Sequence, residues 1–296
     1  MSKRSYSELS ALHAWETPAW AALAAHASSS SVPHLSALLG DASRCAALTA
    51  SVPGMHLDYS RQRVTTETMG LLHALGRAAG LPDKIACMAG GERINTTEDR
   101  AVGHIALRAP KTSAFEVDGA DVVPAVHAVL EAIAAFSDKV RKGEHLGATG
   151  KPLTDVVSIG IGGSYLGPEF VYEALRHDAA GKAAASGRRL RFLANVDPVD
   201  LARALEGLDP ETTLVIICSK TFTTAETMLN ARTVKRVFEK AMEGKASASD
   251  VAAQHIVACS ANVAGAQAFG IKAENVFGFW DWVGGRYSMC AAIGLP

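Results

Sequence analysis

The stretch Val156-Val-Ser-Ile-Gly-Ile-Gly-Gly-Ser-Tyr-Leu-Gly167 decides the fold. Residues 156–161 are a short β-branched run, residues 160–164 are rich in glycine, and residues 165–176 carry apolar side chains at helical spacing. A strand that runs through a tight turn into a helix is one βα unit. The alternation then repeats. Strand patterns over 190–194, 213–218, 255–260 and 276–279 are separated by helical patterns over 199–205, 224–242 and 263–269. The runs at 156–161, 213–218 and 255–260 are apolar on both faces, as strands covered by helices on both sides require. The expected fold class is therefore α/β, a doubly wound parallel sheet with right-handed crossovers.

Upstream the chain reads as mostly helical. Helical patterns cover 7–25, 35–48, 65–76 and 97–107, and a short extended piece covers 56–61. Ser28 to Ser31 followed by Pro33 should break the first helix. Asn95 or Thr96 should cap the last, with Glu98 and Asp99 in its first turn. Gly103 would then lie inside a helix, at a cost of about 1 kcal/mol relative to alanine. The transition falls loosely within 115–123. The expected organisation is a helical segment over 1–118 and an α/β domain over 119–296.

Composition narrows the functional classes. The 296 residues are 48% hydrophobic, much of it alanine, with a formal net charge of −1. No stretch approaches the roughly 18 to 20 continuous apolar residues of a membrane span. Lysine and arginine are scattered rather than striped, so no nucleic-acid footprint is visible. The five cysteines, Cys45, Cys87, Cys218, Cys259 and Cys290, are odd in number and well separated. Buried reduced thiols are expected, neither a disulfide framework nor a zinc site. No apolar core follows Lys3 and Arg4, so the N-terminus does not read as a secretory signal, and the Asn95-Thr96-Thr97 sequon is read as chance.

Two turns after strands carry the chemistry. In open α/β sheets ligands lie beyond the carboxyl ends of the strands. The glycines of 160–164 allow close approach to the backbone, and the following helix start offers N–H groups to an anion. A bare tight turn is the competing explanation. A dinucleotide fingerprint fails because Tyr165 stands where its third glycine belongs, and a Walker A loop fails because Pro152 follows Gly150-Lys151. The second turn, Ser219-Lys-Thr-Phe-Thr-Thr224, offers hydroxyls, a lysine and another helix start, the makings of a phosphate cradle. Thr223 and Glu226 also have capping-box spacing. Val234, Val237, Phe238 and Ala241 read as the packing face of the helix that follows. A third motif, Phe279-Trp-Asp-Trp-Val-Gly-Gly-Arg-Tyr-Ser288, presents Arg286 after two glycines. That arginine could steady negative charge on a substrate oxygen, or simply pair with Asp281. Trp280 and Trp282 read as packing, and isolated histidines such as His104 and His255 as structural or exposed.

Together with Leu57-Asp-Tyr-Ser-Arg-Gln-Arg63 and Gly91-Glu-Arg-Ile-Asn-Thr-Thr-Glu-Asp-Arg-Ala101, these motifs resemble the glucose-6-phosphate isomerases over essentially the whole chain. Gly150-Lys-Pro-Leu-Thr-Asp155 and Phe192-Leu-Ala-Asn-Val-Asp-Pro198 resemble the plant and algal cytosolic type. The resemblance implies a sugar-isomerase (SIS) fold, flavodoxin-like, and cofactor-free interconversion of glucose 6-phosphate and fructose 6-phosphate through an enediolate, in glycolysis and gluconeogenesis. It implies that Gly163, Ser164, Ser219, Lys220, Thr221, Phe222, Thr223 and Thr224 hold the sugar phosphate and that Arg286 stabilises the enediolate. A cytoplasmic homodimer is implied, and a plastid form would differ mainly at the N-terminus. Members of the family are nearly twice as long, with the proton-transferring glutamate and ring-opening histidine in a second SIS domain. The chain accordingly reads as a fragment, inert on its own. A non-catalytic sugar-phosphate-binding SIS module is the alternative.

Overall fold

A computed structural model describes residues 5–11, 13–29 and 32–296. The chain divides into two compact units, Met1–Asp99 and Arg100–Pro296. The division falls upstream of the 118/119 boundary expected from sequence.

The first unit is mostly helical, but two of its apolar runs are cut into shorter helices. The run 7–25 is cut into Tyr6–Ser10, a 3-10 turn Ala14–Glu16 and Pro18–Ser28. The cut follows from Thr17 and Pro18. The Thr17 hydroxyl accepts the Trp20 N–H, and the proline occupies the first turn of the new helix. The expected break beyond Ser29 lies partly at residues 30 and 31, outside the described residues. The run 35–48 is likewise cut, into Leu35–Leu39 and Ala42–Ala47, because the Asp41 carboxylate accepts the Arg44 N–H and starts a second helix. Thr49–Val52 and Met55–Asp58 pair as an antiparallel hairpin where one extended piece was expected. Thr66–Ala78 matches its pattern, and Leu81–Ala89 is a further helix.

The expected helix over 97–107 does not form. Asp99 takes a left-handed conformation (φ 51°). Asn95 Nδ2 donates to Glu98 and Thr97 Oγ1 donates to Asn95. Short polar side chains here bond to one another and favour a turn over a helical ladder. Only Ala106–Arg108 makes a 3-10 turn. Gly103 is thus not a helical glycine. A Cβ on it would lie 2.7 Å from Trp282 Cε3, so the absence of a side chain makes room for an indole.

The second unit is the expected α/β domain. Its strands are β1 (Asp155–Ile159), β2 (Arg189–Leu193), β3 (Thr213–Cys218), β4 (Ile256–Cys259) and β5 (Val276–Phe277). All pair in parallel in the order 2-1-3-4-5, with Ile159 opposite Ile217 and Cys218 opposite Cys259. This is the flavodoxin-like doubly wound order, whose topological switch point lies between β1 and β3. The helices are α1 (Val123–Lys142), α2 (Leu166–Leu175), α3 (Pro198–Leu205), α4 (Ala225–Ala241), α5 (Ala248–His255) and α6 (Val263–Ala268), with a short additional turn at Ala179–Ala184. Alternate residues of β3 feed two cores. Leu214, Ile216 and Cys218 join α1 on one face, and Val215 and Ile217 join α4 on the other. In α4 the packing face is Met228, Ala231, Val234 and Phe238, whereas Val237 and Ala241, expected to pack, are exposed. Cys87, Cys218 and Cys259 are buried, Cys45 and Cys290 half-buried, and all five thiols are free. Among the described residues no helix is long and apolar enough to cross a membrane.

Candidate functional site

Because β1 and β3 are neighbours, the turns that leave their carboxyl ends start side by side at the switch point. The glycine turn after β1 forms a 3-10 turn, Gly162–Ser164, ahead of α2. Its glycines are explained first by packing. A Cβ on Gly163 would lie 2.6 Å from the Gly285 carbonyl carbon and 2.8 Å from Arg286 Cα. The backbone of the third motif therefore rests directly on the first. Ser288 Oγ donates to Gly285 O at 2.7 Å and lies 3.5 Å from Gly163 O. Ser164 is half-buried, and its hydroxyl has no partner among the described residues.

The turn after β3 is built around Ser219, which is 2% exposed. Its hydroxyl accepts the Phe222 N–H at 3.1 Å and donates to Thr224 Oγ1 at 3.4 Å. Phe222 adopts φ +56°, a conformation that costs a non-glycine residue of order 1 kcal/mol or more. Burial of its ring, set edge-on to Phe269, opposes that cost. The ring thus anchors the turn from below, and its amide is already occupied by Ser219. Thr221 and Thr223 are exposed and bond to each other, Thr223 Oγ1 donating to Thr221 Oγ1 at 2.7 Å. The capping box suggested by Thr223 and Glu226 is not made. Thr224 holds the N-cap position, and no side chain caps the helix. The first-turn N–H groups of a helix have no intrahelical acceptor, so the start of α4 keeps uncapped donors and the positive end of its dipole.

Lys220 does not stand loose in this turn. Its ammonium donates to the carbonyl oxygens of Asp281 at 3.0 Å and Val283 at 2.9 Å, and lies 3.8 Å from the Asp281 carboxylate. Asp281 also faces Arg100 at 3.8 Å. The pairing of Arg286 with Asp281, the structural alternative in the sequence, is absent. Arg286 is exposed and has no hydrogen-bond or ion-pair partner among the described residues. Trp280 and Trp282 stack on each other with centroids 4.9 Å apart, and Trp282 is buried, so they do pack as expected.

His104, read from the sequence as structural or exposed, belongs to this neighbourhood. Its Nε2 accepts the Gly284 N–H at 3.1 Å, and its ring meets Tyr287 edge-on. Burial, with Arg108 and Lys220 nearby, pushes its pKa down, which keeps the ring neutral and Nε2 an acceptor. A separation of 180 residues hides such a contact from any reading of spacing. Among the described residues no group of three or more His, Cys, Asp or Glu side chains could hold a metal ion.

A family model described as phosphoglucose isomerase matches residues 58–296. The chain belongs to the phosphoglucose isomerase family. It is 53% identical over 280 residues to the cytosolic glucose-6-phosphate isomerase of Arabidopsis thaliana, covering 95% of this chain and 49% of that protein. The corresponding protein of Zea mays is 53% identical over 94% of this chain and 48% of its own length. A crystal structure of a glucose-6-phosphate isomerase from Chlamydia trachomatis superposes with a TM-score of 0.75 at 26% identity, over 95% of this chain and 51% of that one. The chain thus spans about half the length of the curated relatives it matches.

The structure brings the candidate residues Gly163, Ser164, Arg286 and the Ser219–Thr224 turn to one end of one sheet. The side chains divide by role. Ser164, Thr221, Thr224 and Arg286 offer polar groups at the surface or near it, whereas Ser219, Lys220 and Phe222 are spent on holding the turns.

Proposed function

We propose that this chain supplies the phosphate-gripping half of a glucose-6-phosphate isomerase, an intramolecular oxidoreductase that interconverts glucose 6-phosphate and fructose 6-phosphate. The observation that carries the reading is the uncapped start of α4 after β3, together with Arg286, exposed and without a partner among the described residues, on the turn packed against Gly163 after β1. Helix-start amides and threonine hydroxyls suit a dianionic phosphate, and a guanidinium held nearby suits an oxygen that gains negative charge in an enediolate. Aldose–ketose exchange moves a proton between neighbouring carbons and needs no redox cofactor, only a base and stabilisation of the intermediate. This chain's part is binding and charge stabilisation. The relatives' names place the reading in the cytosol, and a homodimer is the assembly we infer.

Calorimetric titration of the chain with 6-phosphogluconate, a sugar acid phosphate, tests the first half of the reading. Binding that Arg286→Ala weakens about tenfold or more supports it. Mixing the chain with the separately expressed unmatched half of the Arabidopsis relative, followed by an assay of fructose 6-phosphate, tests the second. The chain alone is expected to give no turnover and the mixture to give some. Binding without turnover in an assembled mixture would favour a non-catalytic sugar-phosphate module instead.

A further inference from the structure

The turn that carries Arg286 is propped from several sides. Lys220 Nζ reaches across from the phosphate turn to two of its carbonyls, Asp281 O and Val283 O. His104 Nε2 takes the Gly284 N–H. Gly103 N donates to Trp282 O at 3.3 Å, and Gly163 meets the Gly285 backbone from the opposite side. Residues 281–285 have little freedom left, yet the next residue, Arg286, is exposed and has no partner among the described residues. Of these props, Lys220 alone joins the phosphate turn to the arginine turn.

We propose that Lys220 is a positioning residue rather than a phosphate ligand: its ammonium ties the 219–224 turn to the 281–283 turn and so fixes Arg286 relative to the phosphate cradle. An ammonium is a compact donor of several hydrogen bonds. Two of its bonds are made at good distance to carbonyls of one turn, and the carboxylate of that turn's Asp281 faces it. Its side chain is only 17% exposed. Two of the three ammonium donors are committed to those carbonyls, and moving Lys220 away onto a ligand phosphate would break them. The tether has a use in the isomerase reading, on which this role rests. A sugar phosphate is long enough that its phosphate and its reacting carbons meet different protein segments. Linking those segments keeps their spacing constant, the condition for pre-organised charge stabilisation.

The test uses the chain with Lys220→Met, Lys220→Arg, Arg286→Ala and the Lys220→Met/Arg286→Ala double variant. One readout needs no ligand. The Trp280–Trp282 stack lies on the tethered turn and should give an exciton couplet in circular dichroism. Lys220→Met should weaken that couplet, and Lys220→Arg, which can still donate to both carbonyls, should largely retain it. The second readout is affinity for two probes. Lys220→Met should weaken 6-phosphogluconate about tenfold while changing inorganic phosphate less than about twofold, and it should add little in the Arg286→Ala background. An unchanged couplet, a large loss of inorganic phosphate affinity, or full additivity with Arg286→Ala would each overturn the proposal. If the parent chain binds neither probe, the sugar-phosphate reading fails, and the couplet by itself decides the tether. Should Lys220→Met fail to fold, Lys220→Gln, uncharged and one bond too short to span both carbonyls, gives the same contrast.

Discussion

At the residue scale, two glycines carry opposite lessons. Read as part of a helix, Gly103 should be a weakness, and Gly103→Ala should stabilise by about 1 kcal/mol. In the structure the same substitution drives a methyl group into the Trp282 ring, and overpacking of that kind costs about 1–3 kcal/mol. We expect Gly103→Ala to lower the urea midpoint, and a raised midpoint would show that the indole gives way freely. Gly163 reads in the sequence as a glycine that lets a ligand approach, and the structure gives it a packing role. Its lack of a side chain admits the Gly285–Arg286 backbone before any ligand arrives. Gly163→Ala should therefore both destabilise the chain and weaken 6-phosphogluconate binding, because it pushes away the turn that bears Arg286. A variant with normal affinity and lowered stability would separate the two turns functionally.

At the element scale, the strands were legible and the caps were not. Thr213–Cys218 was read to the residue because six apolar or β-branched side chains in a row suit only a strand covered on both faces. The helix Val123–Lys142 escaped, although Pro124 in its first turn and Gly143 just past its end are the usual punctuation of a helix. Alanine-rich sequence on both sides had blurred where one element stops. The phantom helix over 97–107 failed through side-chain bonds among Asn95, Thr97 and Glu98 that propensity does not count. The Ser219–Thr224 turn shows the converse, since its hydroxyl run was visible but the bonds among its side chains were not. Those bonds make a prediction at Thr224. A threonine that caps a helix costs about 0.5–2 kcal/mol when replaced by alanine. Thr224 makes no cap bond to α4, and its hydroxyl accepts only the long 3.4 Å bond from Ser219, so Thr224→Ala should cost less stability than a lost cap while weakening phosphosugar binding several-fold. A large stability loss with intact binding would restore the capping role to the threonine.

At the scale of the whole molecule, much of the response to acid comes from groups outside the candidate site. His255 is fully buried at the end of α5. Its Nδ1 donates to Thr213 O, and its Nε2 accepts the Ala148 N–H, both at 2.9 Å. Protonation would set an N–H against an N–H, and burial lowers the pKa from its ordinary 6.5, with His145 adding to the effect against the opposing Thr213 bond. The unfolded chain therefore takes up a proton below about pH 6.5 that the folded chain refuses. Stability is constant with respect to this group above pH 6.5 and falls as the pH drops from there toward the folded pKa. His104, also lowered by burial, contributes in the same window. Glu211 acts lower down. Bonds from Lys245 and Lys151 bring its pKa from 4.5 to about 2, so its contribution is present above pH 4.5 and is lost between there and about pH 2. His255→Gln should lower stability at all pH values, yet flatten part of the slope between pH 6.5 and 5 and leave the fall below 4.5 in place. Urea midpoints measured across pH 4 to 8 for both chains decide this. Parallel curves above pH 5 would move the acid sensitivity away from His255.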